Sequence, residues 1–201
     1  MSNPKFSSHL LGRFIETATV ELGRDPFHTM LALSGLPGEW SQPDHFRRTD
    51  EVESAKAYAS LQAAMRTYFG RGARGILLRV GQRLWYHLLE DAALGGKAQA
   101  AVIRRLPLHT RRKQTLELLS RFLSAQPGDL TLHTLDLDLL LADHASPTTY
   151  GIQDRQPICF VTRGLIGESL YWATSQRYDL EETSCRARGE NTCEFKITFG
   201  P

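Results

Sequence analysis

The spacing of apolar residues in this 201-residue chain changes once, near residue 130, from every third or fourth position to every second. The first spacing keeps one face of a helix buried and the second one face of a strand, so helices must combine with a later sheet. Phe6, Leu10, Phe14, Ala18 and Leu22, with Leu11 and Ile15 beside them, predict a helix over 4–22. Asn3 is its expected cap, Pro4 fits the first turn and Gly23 stops it. A shorter helix is expected over 25–33, then a loop over 34–44 that carries Gly35, Pro37, Gly38 and Pro43. Asp50 and Glu53 have capping-box spacing ahead of a long helix to Phe69. After a break at 70–75, Leu77, Val80, Leu84 and Leu88 predict a helix over 76–89, and another is expected over 110–125.

Beyond that point Leu135, Leu137, Leu139 and Leu141 alternate with Asp136, Asp138, Leu140 and Ala142, which predicts one strand with a single buried face. Pro157 opens a further helix with Leu165, Leu170, Tyr171 and Trp172 in its body. Residues 178–199 read as two strands around Arg188-Gly189-Glu190-Asn191, with Cys193, Phe195, Ile197 and Phe199 on one face. Helices first and strands afterwards, with one helix among the strands, point to an α+β fold: an antiparallel twisted sheet with helices packed on it. We expect one domain over 49–201 and a helical arm over 1–48.

A chain of this length buries about 70% of its unfolded surface, enough for a substantial core. Its 24 basic and 22 acidic residues leave a net charge of +2, so nucleic acid is not expected as a partner. No run approaches about 20 apolar residues, so no membrane span is expected. Residues 1–14 show no secretory signal. Three cysteines, an odd number with no C-x-x-C pair, then suggest a reducing, cytoplasmic setting and cysteines kept for metal or chemistry.

Gly70-Arg71-Gly72-Ala73-Arg74-Gly75 matches G-x-G-x-x-G, but the dinucleotide fingerprint needs a strand before it and an acidic residue about 20 positions later. Here a helix precedes it, and Glu90 and Asp91 come too early, so it reads as a break between packed helices. Arg104, Arg105, His109, Arg111, Arg112 and Lys113 form a basic cluster, either a solvated face or an anchor for an acidic group. His133 and His144 flank the alternating strand, and no histidine pair has H-x-x-x-H or H-E-x-x-H spacing. There is no G-x-S-x-G elbow, no P-loop and no nucleophile with a base at telling spacing, so no catalytic residue is assigned. Trp85, His109 and Trp172 are bulky side chains expected between helix faces and sheet, and are candidate ligand-binding residues; each reads equally well as ordinary core or surface.

The cysteines carry more information. Cys185 and Cys193 bracket the terminal turn, and Cys159 falls in the first turn of the preceding helix, where exposed N–H groups and the helix dipole favour a thiolate. Glu182 stands three residues before Cys185. Three thiolates and a carboxylate can close a tetrahedral zinc shell of the structural type. The same residues also read as small buried hydrophobes, or as a Cys185–Cys193 disulfide with Cys159 left over. On a regular strand Glu181 would suit such a shell better than Glu182, which requires a bulge at Thr183-Ser184.

Cys159-Phe160 at the head of a helix, Gly164-Leu165-Ile166-Gly167 within it, and the run from Glu181-Glu182-Thr183-Ser184-Cys185 through Gly189-Glu190 to Cys193-Glu194-Phe195 together resemble the 4-vinyl reductase domain family. That family's pattern is a cysteine before a glycine-containing helix, then E-x-x-C, a turn with G-D or G-E, and C-x-F. The resemblance is strong over 158–199, looser over 70–89, and absent before Asp50. It implies a fold like that of vesicle-tethering TRAPP subunits and haem–nitric-oxide-binding domains, a unit that cups an apolar ligand and usually forms a homodimer. It also implies a structural zinc on Cys159, Glu182, Cys185 and Cys193, which selects Glu182 over Glu181. The function implied is a stand-alone module that binds or senses a hydrophobic or aromatic small molecule. Two alternatives stay open under the same resemblance. One is reduction of a tetrapyrrole vinyl group in bacteriochlorophyll synthesis, or accessory pigment binding, although no flavin or nicotinamide signature supplies a hydride. The other is a structural, tethering-type interaction protein.

Overall fold

Local hydrogen bonds decide where the helices begin. In the computed structural model, which describes residues 4–41, 45 and 49–199, the first helix, α1, runs over Ser8–Leu22. It therefore starts four residues later than the helix expected from Pro4. The Phe6 N–H donates to the carbonyl of Glu51 (3.0 Å), which keeps residues 4–7 extended, and the Ser7 side chain accepts from the Leu10 N–H as the cap. The cap expected at Asn3 lies outside the described residues. Helix α2 covers Arg24–Leu33, and the following segment holds a short 3-10 turn over Gly38–Ser41. Asp50 caps α3 (Glu51–Phe69) by accepting from the Val52 and Glu53 N–H groups at 2.9 and 2.8 Å.

Gly70–Gly72 forms a 3-10 turn, and α4 follows at once over Ala73–Asp91. Helix α5 (Leu94–Ile103) was not expected, because its Gly- and Ala-rich sequence buries only Ala100 and Ile103. Helix α6 covers Leu108–Leu123 and α7 Phe160–Thr174. The strands are β1 (Leu130–Leu135), β2 (Asp138–Asp143), β3 (Asp179–Ser184) and β4 (Cys193–Thr198), paired antiparallel in the order β1-β2-β4-β3. The fold is thus the expected combination of helices with an antiparallel sheet.

The alternating leucines are corrected in one respect: they form a hairpin rather than one strand. Leu135 pairs with Asp138 across a turn in which Asp136 takes a left-handed φ of 52°. Cross-strand partners share a face, and here Leu132 is opposite Leu141 and Leu135 opposite Asp138, so the two-residue turn puts Leu135 on the other face from Leu139 and Leu141 although all three keep a spacing of two in sequence. Leu137, at the tip, is 80% exposed.

Core residues from both ends of the chain meet in one cluster: Phe14 from α1, Phe27 and Met30 from α2, Leu61 from α3, Leu77 and Trp85 from α4, Ile166 from α7, and Phe195 and Ile197 from β4. Helices α4 and α7 approach at two glycines. A Cβ on Gly81 would stand 2.1 Å from the Val161 carbonyl oxygen, and one on Gly164 2.2 Å from that of Leu78. The junction expected at Arg48 lies outside the described residues. No described helix is long and apolar enough to cross a membrane.

Candidate functional site

Cys159 is the N-cap residue of α7, one position before the helical residues begin. Its side chain does not cap the helix; its own N–H donates instead to Oε2 of Glu182 on β3 (3.0 Å). Cys193 opens β4, and Cys185 follows β3 directly. Residues three apart on a regular strand face opposite sides. Here the β3–β4 ladder shifts register between Glu182 and Ser184: Glu182 pairs with Phe195 and Ser184 with Glu194, so Thr183 is the extra residue. The bulge brings Glu182 and Cys185 to the same side. One ligand atom from each of Cys159, Glu182, Cys185 and Cys193 then lies within 4.8 Å of the others, all four residues buried. The Cys159 and Cys193 sulfurs are 3.6 Å apart, and all three cysteines are free.

The electrostatics of this cluster favour a cation. Hydrogen bonds from Cys159 and then Cys193 hold the Cys185 thiol well below its usual range. The same interactions, with burial, push Cys159 up. Burial first, and then the charge of Cys185, raise the Glu182 carboxyl to about 8. One thiolate is tolerated and each further charge is resisted, because like charges crowd in a low-dielectric site. A divalent ion removes that conflict by letting all the donors ionise together. Glu182 Oε1 is buried without a hydrogen-bond partner among the described residues, so one ligand atom stands ready. The cluster can hold a metal ion.

A second feature lies between the helices and the sheet. A narrow apolar cavity with about 40 Å³ of free space is walled by Phe6, Tyr58 of α3, Leu84 and Leu88 of α4, and Leu165 of α7. Its polar lining is sparse. Asp143, at the end of β2, is 4% exposed, accepts from the Ala145 N–H (3.1 Å), and is pushed up to about 7 by burial. Thr162 contributes a buried hydroxyl, and Lys5 and Asp129 add charge.

The expected ligand-binding side chains sit elsewhere. Trp85 is fully buried and meets Trp172 edge-on at 5.4 Å, with Phe122 at 6.1 Å; its indole N–H has no partner. His109 is exposed and shares a hydrogen bond with Thr110. None of the three lines the cavity. Sequence reasoning missed Asp143, whose one visible signal is a charge ending the apolar run Leu139–Ala142. Part of the basic cluster is held by the protein itself. Arg111 donates to the carbonyls of Leu106 and Ala173, Arg112 lies over Tyr178 and Phe199, and Arg104 over Trp172.

Residues 143–199 match the model of the 4-vinyl reductase domain, the family that the cysteine pattern resembles. That span holds Cys159, Glu182, Cys185 and Cys193. No curated protein sequence matches the chain significantly. Among solved structures, an H-NOX protein from S. oneidensis, determined in its Fe(II)NO ligation state, superposes with a TM-score of 0.52 at 12% identity, covering 94% of this chain and 99% of that one. At that identity the likeness concerns the fold alone. Over residues 143–199 the chain is therefore similar to the 4-vinyl reductase domain, and its fold as a whole is similar to that of the H-NOX protein.

Proposed function

We propose that this protein is a small-molecule-binding module that takes a hydrophobic or aromatic ligand in the cavity between its helices and its sheet. The observation that carries this reading is the cavity itself, apolar on most sides and marked by one buried carboxyl, Asp143. Ligand sites are concave and mostly apolar, with a few polar groups that set orientation. Apolar surface buried there contributes about 25 cal/mol per Å², and Asp143 and Thr162 give a hydroxyl or amine a fixed partner.

In the same reading Cys159, Glu182, Cys185 and Cys193 hold a structural zinc. Tetrahedral zinc with bonds of about 2.3 Å to sulfur sets its sulfurs about 3.8 Å apart, and the Cys159–Cys193 separation of 3.6 Å suits that edge. Three protein sulfurs and a carboxylate leave no open position for a substrate, so the ion's contribution is to fasten the terminal hairpin to the head of α7. Homodimerisation belongs to the reading as well, and sedimentation measures it directly.

Native mass spectrometry and thermal melting with p-cresol as probe test the proposal. One p-cresol per chain and a raised melting temperature are expected. Leu165→Trp, which fills the cavity, should abolish both while leaving the circular dichroism spectrum native. Absence of any p-cresol adduct, or equal binding by Leu165→Trp, would overturn the cavity assignment. Visible absorbance bands in the purified protein would turn the reading towards a bound pigment.

A further inference from the structure

A separate groove, which shares only Glu182 with the metal cluster, is lined by four arginines: Arg66 from α3, Arg71 and Arg74 at the α3–α4 junction, and Arg163 from α7. Like charges repel, and in a chain whose net charge is only +2 such convergence requires a counter-charge. The groove's own carboxylates supply little of it. Asp154 comes no closer than 3.9 Å to Arg66 Nε, Glu182 accepts from the Cys159 N–H, and Glu181 is exposed to solvent. Arg71 and Arg74 are exposed and make no ion pair or hydrogen bond among the described residues.

The two deeper arginines are incompletely satisfied. Arg163 Nη2 donates to the Leu180 carbonyl (2.8 Å), but its Nε is buried without an acceptor among the described residues, as is Arg66 Nη1. Burial lowers the basicity of both guanidiniums, and the nearby charge of Arg74 lowers that of Arg163 further. Buried donors without acceptors are costly, and an anion in the groove would satisfy them.

The backbone adds to the site. Helix α4 continues directly from the Gly70–Gly72 turn, with the Ala73 N–H donating to the Gly70 carbonyl, and it has neither a side-chain cap nor an acidic residue in its first turn to offset the positive end of its dipole. Gly70 and Gly72 precede it with open space where a Cβ would be, which allows a ligand close to the main chain. We propose that this groove binds a phosphate group, held by the Arg71 and Arg74 guanidiniums above the buried N–H groups of Arg66 and Arg163 and beside the first turn of α4. The Gly70–Gly75 string thereby has an anion-binding use that needs no dinucleotide fold.

Inorganic phosphate and the headgroup of a phosphatidic acid membrane present the same chemistry, and two arms separate them. Isothermal titration with sodium phosphate, against sodium chloride at equal ionic strength, reads the free anion. Co-sedimentation with phosphatidic acid vesicles, against phosphatidylcholine vesicles, reads the headgroup. Binding in either arm supports the site and names its source. The double substitution Arg71→Gln, Arg74→Gln is expected to weaken that binding at least about tenfold. Its melting temperature in chloride and its zinc content should stay unchanged, since neither side chain holds the fold or the cluster. Failure of both phosphate and vesicles to bind, or equal binding by the double variant, overturns the proposal.

Discussion

A single methyl group at Gly164 tests the packing on which both the cavity and the cysteine cluster depend. A Cβ there would meet Leu78 O at 2.2 Å, Gly81 Cα at 3.0 Å and Gln82 N at 3.1 Å, all of them backbone atoms of α4. Ordinary contact begins at 3.4 Å, so the worst overlap is 3.4 − 2.2 = 1.2 Å. No side chain can rotate away, and α4 and α7 must part by about an ångström. A gap of that size forfeits a quarter to a half of each dispersion contact along the crossing, and overpacking costs about 1–3 kcal/mol or more. Alanine in a helix interior returns about 1 kcal/mol relative to glycine, which does not reverse the sign. We expect Gly164→Ala to lose about 2 kcal/mol, a fall of about 4–8 °C in melting temperature for a chain of this length. Gly167, one turn later on α7, has nothing within 4 Å of its Cβ position. Gly167→Ala should keep the propensity gain and melt slightly higher. Thermal and urea unfolding followed by far-UV circular dichroism separates the two. A Gly164→Ala protein as stable as the parent, or equal shifts for both variants, would refute the close-crossing argument.

Two further outcomes follow from the cluster and from the helix ends. On the proposed zinc reading, Cys193→Ser should abolish zinc binding and cost several kcal/mol, because metal-binding free energy is folding free energy in such shells; unchanged zinc content with unchanged melting would refute it. Asp91 accepts from Arg13 (2.7 and 2.5 Å) and meets His9 at 2.8 Å, and the Arg13 bonds first of all hold its carboxyl at about 2. The folded value lies below the unfolded value of about 3.9, so this stabilisation is complete above pH ~4 and is lost as pH falls towards 2. The pair is partly solvated and is worth about 1 kcal/mol or less. The stability gap between the parent and Asp91→Asn should therefore close between pH ~4 and ~2, and a gap that stays constant with pH would count against it.

What could be read in the sequence divides along physical lines. Local signals transferred well. The carboxylate of Asp50 marked the head of α3, and Cys193, Phe195, Ile197 and Phe199 are all buried as their alternation predicted. Signals that depend on chain reversal did not transfer: the leucines keep a spacing of two in sequence across Asp136-Leu137, but the hairpin puts Leu135 on the opposite face from Leu139 and Leu141. The cluster of three cysteines and Glu182 lies between these cases. Its sulfurs were visible as residue types, but Cys159 and Cys193 are 34 positions apart. Glu182 also needs a register shift that strand pairing creates and spacing does not encode. The cavity was least visible. Trp85 and Trp172 drew attention by size, yet large apolar side chains fill cores as readily as they line pockets. Asp143 carried no motif of its own, and its burial follows from long-range pairing that sets it opposite Cys193 on β4.

That pairing also ties the two proposed sites together. Asp143, in the cavity wall, is the cross-strand partner of Cys193 in the cluster. Helix α7 carries Thr162 and Leu165 into the same cavity and has Cys159 as its N-cap residue. An ion on the four donors therefore fixes a strand end and a helix start that are both cavity walls, in the way outer contacts hold a site in shape. The dependence runs in one direction. Loss of the ion frees the walls and should weaken p-cresol binding, whereas filling the cavity with Leu165→Trp leaves the donors where they are. Cys193→Ser with undiminished p-cresol affinity, or Leu165→Trp with lost zinc, would show that the shared rung between β2 and β4 does not transmit this constraint.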